Sequence, residues 1–322
     1  MAVKAAFIGA GGIAGYHLGH LEKIDDVQIV GFADAVPEKA GARAKQYKAK
    51  AYKDYRRMLD ATKPDAVYVC TPPFAHGEYE LEAVARGCHI YVEKPIAICM
   101  DTALAIRDAI KKAKVVSGVG YQDRYQDIIA TLKKLLRKRT TATAMGYWMG
   151  GMPGVAWWRV KAESGGQHAE QTTHIFDMMR YLFGEVKTVY AAASTGLMTD
   201  VPNYDVEDLS AATLVFKSGM VGTVYSACCL KGHSKVGIDI MCTDARIEYI
   251  ERKSVTVIEP NHREEFTNAA DFGQASDEAF IEAVRTQGKK NKVKSSYADA
   301  CKSLAISLAV DKSLATGQAV EL

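Results

Sequence analysis

The sequence predicts an α/β chain, with an N-terminal doubly wound parallel sheet followed by an α+β domain whose sheet is open and largely antiparallel. Three observations lead there. The first third repeats a strand-then-helix order, and its strand-like runs are apolar without alternation, as strands buried on both faces must be. Beyond residue 120 the runs alternate apolar and polar residues, with turn residues at hairpin spacing. The 322 residues suffice for two cores, and the expected domains are residues 1–120 and 121–322.

The chain opens on an apolar run, Ala5-Ala6-Phe7-Ile8, that stops at Gly9 and passes through Gly11 and Gly12 into a helical segment from Ile13 to Leu21. Gly9-x-Gly11-x-x-Ala14 between strand and helix has the form of a dinucleotide-binding turn. Gly9 permits the turn, and Gly11 lets backbone approach a pyrophosphate that the N–H groups of Gly12 and Ile13 can bind. Ala14 lets helix pack on strand. The next run, Val27 to Ala33, ends in Asp34, about 20 residues beyond the glycines, where an acid meets ribose hydroxyls. Further strands are expected over Ala66–Thr71, His89–Glu93 and Val115–Val119, with helices over Gly77–Arg86 and Thr102–Ala113. Ligands of such sheets lie beyond the strands' carboxyl ends. That rule selects Thr71-Pro72-Pro73 with His76, and Glu93-Lys94-Pro95.

After Gly120 a helix is expected over Ile128–Arg137, then a strand over Thr143–Met149 and a Gly/Trp-rich loop from Gly150 to Gly166. A second helix runs from there to Leu182 and is stopped by Gly184. Strands follow over Val186–Ala193, Leu209–Phe216, Val221–Cys229, Val236–Cys242, Arg246–Ile250 and Ser254–Ile258, and a long helix over Tyr297–Thr316. No repeat or low-complexity segment is visible.

A net charge of +3 is too small to imply nucleic acid or an anionic membrane as partner. The basic run Lys133 to Arg139 reads as a solvated helix end. Seven scattered cysteines without C-x-x-C spacing point to a reduced, cytoplasmic chain and give no metal set. No leader pattern and no run of 18 apolar residues is seen, so neither secretion nor membrane insertion is expected.

Three motifs coincide: the Gly9 turn, the pair Thr71-Pro72-Pro73-Phe74-Ala75-His76 and Glu93-Lys94-Pro95, and the stretch Gly165 to Asp177, GGQHAEQTTHIFD. Together they resemble the Gfo/Idh/MocA family of nicotinamide-dependent oxidoreductases, the family of glucose–fructose oxidoreductase and inositol dehydrogenase. The resemblance runs to the ending Ala315 to Val320. It implies an N-terminal Rossmann domain, a C-terminal sheet domain used for substrate binding and oligomerisation, and hydride transfer between NAD(P) and a hydroxyl or carbonyl of a sugar or polyol. By motif match it makes Lys94 the catalytic-site lysine and His174 the proton-transfer group. Glu170 stands where many members have Asp, and Gln167 where a third Gly is common.

The residues support those roles in their own right. Glu170 and His174 are four apart, so one helix would put them on one face, and the carboxylate could orient the imidazole. His suits proton abstraction near neutral pH, and a lysine beside the reacting oxygen stabilises developing charge. Trp157, Trp158 and Arg159 are core or interface residues, or a platform for sugar stacking and hydrogen bonding. Tyr121 and Arg124, at the crossover between domains, and His168, just before Glu170, are candidate substrate contacts. The expected ligands are NAD, with NADP possible through Lys39 or Arg43, and a small sugar or polyol. A homodimer or homotetramer is expected through the second sheet. Two other readings stay open: NAD-dependent glycosidic cleavage by transient oxidation, and a non-catalytic nucleotide-sensing regulator.

Overall fold

A computed structural model of the protein describes residues 2–322. Packing divides the chain into two compact units, residues 1–122 with 271–301, and residues 123–270 with 302–322.

The first unit begins with β1 (Val3–Ile8), α1 (Gly12–Leu21), β2 (Val27–Ala33), α2 (Pro37–Tyr47), β3 (Lys50–Tyr52), α3 (Tyr55–Thr62) and β4 (Ala66–Val69). It continues with α4 (Glu78–Ala85), β5 (His89–Val92), α5 (Met100–Ala113) and β6 (Ser117–Val119). The parallel sheet has the order β3-β2-β1-β4-β5-β6, so the strand order reverses between β1 and β4. Helix α1 carries three glycines and has weak intrinsic propensity. Its helicity comes from burying Ala14, Leu18 and Leu21 against Phe7 and Phe32. Pro37 starts α2 at the position where its missing N–H costs nothing. The Asp54 carboxylate accepts the Arg56 N–H and starts α3. The edge strand β3 was not expected; three residues are too short for a pattern.

The second unit holds α6 (Asp127–Leu136), β7 (Thr141–Met149), α7 (Lys161–Ser164), α8 (Gly166–Glu170), α9 (Thr173–Phe183) and β8 (Val186–Ser194). Strands β9 (Leu209–Phe216), β10 (Val221–Ala227), β11 (Lys235–Cys242), β12 (Arg246–Ile250), β13 (Ser254–Glu259) and β14 (His262–Thr267) follow. Along the chain these are followed by α10 (Phe272–Arg285) of the first unit, α11 (Tyr297–Thr316), which is divided between the two, and β15 (Val320–Glu321) of the second. The sheet order is β14-β13-β12-β11-β7-β10-β9-β8-β15. It is antiparallel except where β7 and β10 run parallel. Helices α6 and α9 and the later turns of α11 press Ile129, Leu132, Phe176, Met179, Ile306 and Val310 onto Ala144, Leu214, Val224, Ile238 and Ile240 of one sheet face. Gly146 and Gly222 permit close packing there, since a Cβ at either would lie under 3 Å from Ile175 or Met179 side-chain atoms. The opposite face of the sheet presents Tyr147, Val215, Val221 and Tyr225.

The expected contiguous second domain over 121–322 differs from this packing. Helix α10, absent from the expected elements, packs Phe280, Ile281, Ala283 and Val284 into the same core as Phe7 and Tyr68. Its start is capped by Asp271, whose carboxylate accepts the Gln274 N–H. Residues Tyr297–Cys301 of α11 belong to the first unit and the rest of that helix to the second.

Candidate active site

The first unit's switch point is built from backbone. Gly9 has φ +90°, and a Cβ there would sit 2.2 Å from the Cys70 carbonyl oxygen, so glycine alone brings the end of β1 this close to the end of β4. Nothing lies within 4 Å of a Cβ built at Gly11 or Gly12. Open space thus lies beside Gly11, the N-cap of α1, and Gly12, at the helix end where a pyrophosphate would sit. Ile13 is partly exposed on that turn and Ala14 is buried in the core. Asp34 stands beside it: Oδ2 accepts the Ala10 N–H at 2.7 Å and Oδ1 the Val36 N–H at 2.8 Å. A carboxylate has about four acceptor sites, so two remain for ribose hydroxyls. These residues fit a bound dinucleotide.

Thr71 and Pro72 follow β4, and Pro73 to Ala75 form a 3₁₀ turn. The Thr71 hydroxyl is buried without a hydrogen-bond partner among the described residues. His76 is turned inward: Nδ1 lies 2.5 Å from Glu80 Oε1, and Oε2 of the same carboxylate caps α4 by accepting the Gly77 N–H. That contact makes His76 a support for the loop. After β5, Glu93 is buried and Lys94 partly exposed, and the Lys94–Pro95 peptide is cis. Glu93 Oε1 meets His17 Nε2 at 2.9 Å, and Oε2 accepts the Lys94 N–H at 3.2 Å. Tyr121 closes this segment and is buried.

In the second unit His174 stands in the first turn of α9 and is largely buried. Its ring stacks on Trp148 at 5.4 Å and 19°. Its Nδ1 lies 3.3 Å from Asp123 Oδ2. Arg252 grips the same carboxylate, with Nε 2.7 Å from Oδ1 and Nη2 3.2 Å from Oδ2. Burial works against charge on Asp123, but the neighbouring His174 and the Arg252 guanidinium outweigh it and hold the carboxyl well below the usual carboxylate range. An ionised carboxylate only accepts, so a proton on the Nδ1 that faces it would put the basic lone pair on Nε2.

The expected shared helix face of Glu170 and His174 is not formed by one continuous helix. Helix α8 ends at Glu170, Gln171 is its C-cap, and α9 starts at Thr173. The Thr172 N–H reaches back to the Gln167 carbonyl, and this tight turn separates the two helices. Glu170 Oε2 instead accepts the indole N–H of Trp158 at 2.8 Å. The carboxylate beside the catalytic-type histidine is therefore Asp123, which the sequence reading passed over between its neighbours Tyr121 and Arg124.

The other expected substrate residues separate into two groups. Arg124 is buried, gives Asp177 two hydrogen bonds of 2.7 and 2.6 Å, and lays its guanidinium 4.6 Å from the Tyr181 ring centroid. Ser303 adds a third bond to Asp177 at 2.6 Å. This is a structural tie. His168 is fully buried, and burial pushes its imidazole below the usual range. It lies with Glu207 and Asp311, their ligand-type atoms within 4.8 Å of one another, but the Lys161 ammonium already sits 2.5 Å from Glu207 and 2.8 Å from Asp311. Trp158 is buried as the donor to Glu170, whereas Trp157 and Arg159 on the same 3₁₀ turn stay partly exposed. The Arg159 Nε is buried without a hydrogen-bond partner among the described residues.

The family described as "Oxidoreductase family, NAD-binding Rossmann fold" matches residues 3–121, and the GFO/IDH/MocA C-terminal domain matches residues 138–248. Glucose-6-phosphate 3-dehydrogenase of Bacillus subtilis is 27% identical over 61% of this chain and 59% of its own length. D-glucoside 3-dehydrogenase of Escherichia coli is 29% identical over 67% of this chain and 68% of its own. The similarity to the first of these thus spans less than two thirds of that protein. Levoglucosan dehydrogenase, solved with NADH and L-sorbose, superposes with a TM-score of 0.88 over 100% of this chain and 99% of that one, at 22% identity. The chain belongs to the Gfo/Idh/MocA family of NAD-binding oxidoreductases.

Proposed function

We propose that the protein transfers hydride between NAD and a CH–OH group of a sugar, polyol or related small molecule. The carrying observation is the Asp123–His174 pair, 3.3 Å apart, in which a carboxylate faces Nδ1 of an imidazole suited to take a proton through Nε2. A nucleotide sensor has no use for such a proton acceptor. The relatives named as dehydrogenases of glucose 6-phosphate and D-glucosides support the substrate class.

Bound NAD supplies the hydride acceptor. Gly11 to Ala14 would hold its pyrophosphate through the start of α1, Asp34 would hold its adenosine ribose, and Thr71 to Pro73 would line the nicotinamide end. His174 Nε2 takes the hydroxyl proton while Asp123 steadies the imidazolium through Nδ1. Lys94 is, by motif match, the lysine that would resist charge build-up on a reacting oxygen. Glu170, Trp157 and Arg159 hold neighbouring hydroxyls. The two acceptor sites left on Asp34 favour NAD over NADP. Among the described residues no helix is long and apolar enough to cross a membrane. All seven cysteines are unpaired, which supports a reducing cytoplasm. The sheet face with Val221 and Tyr225 forms a homodimer or homotetramer contact. A screen of sugars and polyols followed by NADH absorbance tests the activity; no turnover of any CH–OH substrate with either NAD or NADP would overturn it.

A further inference from the structure

The buried groups behind Glu93 carry an inference of their own. His17 on α1 uses both ring nitrogens on carboxylates. Nδ1 lies 2.9 Å from Asp277 Oδ2 and 3.0 Å from Oδ1, and Nε2 lies 2.9 Å from Glu93 Oε1. His17 is 2% exposed, Asp277 0% and Glu93 6%. Each ring nitrogen faces a carboxylate oxygen, an arrangement that suits an imidazolium donating through both. Burial opposes that charge, but Asp277 and then Glu93 prevail, and the imidazolium pKa is pushed up to about 10. His20, Tyr16, Tyr68 and Tyr91 surround the ring; His20 Nδ1 meets Asp277 at 2.7 Å, and the three tyrosines contact His17 by their rings. A Cβ at Gly120 would lie 2.4 Å from Glu93 Oε1, so glycine there makes room for the carboxylate.

A buried ion chain contributes little net stability compared with well-packed apolar side chains. What it supplies is geometry. Glu93 Oε2 accepts the N–H of the next residue, Lys94, so the chain Asp277–His17–Glu93 ends on the backbone from which the lysine extends. We propose that His17 and Asp277 are positioning residues for hydride transfer: they lock Glu93 in place, and Glu93 fixes the peptide that presents Lys94. The proposal rests on the hydride-transfer reading.

The test uses the full chain and two variants. Asp277→Asn keeps the shape but removes the anion that anchors His17. Misplacing a reacting group by about 1 Å costs on the order of 10²-fold in rate, so kcat is expected to fall about tenfold or more, with the KM for NAD within about twofold of wild type. His20→Gln also loses a bond to Asp277 but leaves the His17–Glu93 link. It is expected to lower the melting temperature and keep the wild-type kcat. The ¹⁵N resonances of His17 should show a doubly protonated ring at pH about 8 in wild type and a neutral one in Asp277→Asn. A wild-type kcat in Asp277→Asn, an equal loss of kcat in His20→Gln, or a neutral His17 in wild type at that pH would each overturn the proposal. A wild-type chain inactive on every sugar and polyol would instead sink the hydride-transfer reading, and the ¹⁵N result would still decide the state of His17.

Discussion

Asp123 Oδ2 and His174 Nδ1 lie 3.3 Å apart, and Arg252 closes on the far oxygen of the same carboxylate. The pair fixes which imidazole nitrogen can accept a proton. His174→Ala should cut turnover by about 10²–10⁴-fold and leave NADH affinity near wild type, because the nucleotide residues lie in the other unit. Asp123→Asn offers an amide N–H to Nδ1 in place of an acceptor, which moves the imidazole proton to Nε2. It should lose about 10²-fold or more in kcat. Steady-state kinetics with fluorescence titration of NADH check both, and near-full activity in His174→Ala would mean another base.

On the proposed reading, cofactor choice turns on Asp34. Its remaining acceptor sites suit two ribose hydroxyls and repel a 2′-phosphate, so NADH should bind more tightly than NADPH. The Arg43 guanidinium lies beside the turn, with Nη2 3.5 Å from the Gly11 carbonyl oxygen. Asp34→Ser should therefore narrow the preference. It should also weaken both cofactors, since the Ala10 and Val36 N–H groups lose their acceptor. A lower dissociation constant for NADPH than for NADH in wild type contradicts this.

Arg124 and Asp177 are a buried pair with three charged-group hydrogen bonds, counting Ser303. Removing one partner strands the other charge, at a cost of about 3–5 kcal/mol. Asp177→Ala should shift the urea midpoint accordingly. The double change Arg124→Met with Asp177→Leu should recover most of the loss, and failure to recover would mean that the ion pair itself carries stability.

The pH dependence of folding follows from His17 and Asp277. The His17 pKa is raised from 6.5 to about 10, so the stability it contributes is complete below pH 6.5 and drains away as pH rises toward 10. Burial opposes the charge of Asp277, yet His17 and then His20 lower its pKa beneath 3.8, so that contribution is present above pH 3.8 and is lost in stronger acid. Urea midpoints should decline between pH 7 and 10, and His17→Gln should flatten that limb.

Assembly is predicted through the sheet face opposite the helices, where Val221 is 45% exposed and Tyr225 39%. Light scattering at micromolar concentration should give a dimer or tetramer mass, and Val221→Lys with Tyr225→Glu should reduce it. A monomer mass for the wild type would rule the interface out.

The local parts of this architecture were legible in the sequence. The Gly9 turn, Asp34 and Glu93-Lys94-Pro95 lie where buried strands end, and strand ends are marked by a change from apolar to turn-forming residues. The sheet strands Leu209–Phe216 and Arg246–Ile250 match their alternation to the residue. What escaped were partnerships between distant residues. Asp123 pairs with His174 across the chain, and Asp277 reaches His17 from 260 residues away, separations that periodicity does not encode. Glu170 and His174 misled for the opposite reason: a spacing of four implies a shared face only while the helix continues, and the turn at Gln171 and Thr172 interrupts it. Helix α10 had a legible cap in Asp271 and an apolar stripe of Phe280, Ile281 and Val284, but it follows a run of strands and belongs to the other core.

Helix α10 also sets an order of events during synthesis. The glycine turn leaves the ribosome among the first residues, yet Phe280, Ile281 and Val284, which seal its core, emerge only after eight of the nine strands of the second sheet have been translated. Until then the nascent nucleotide fold exposes Phe7, Tyr68 and Tyr91 along the side that α10 later covers. The chain must therefore carry an unfinished apolar surface through most of its own translation, and a chaperone that holds such surfaces has its window there.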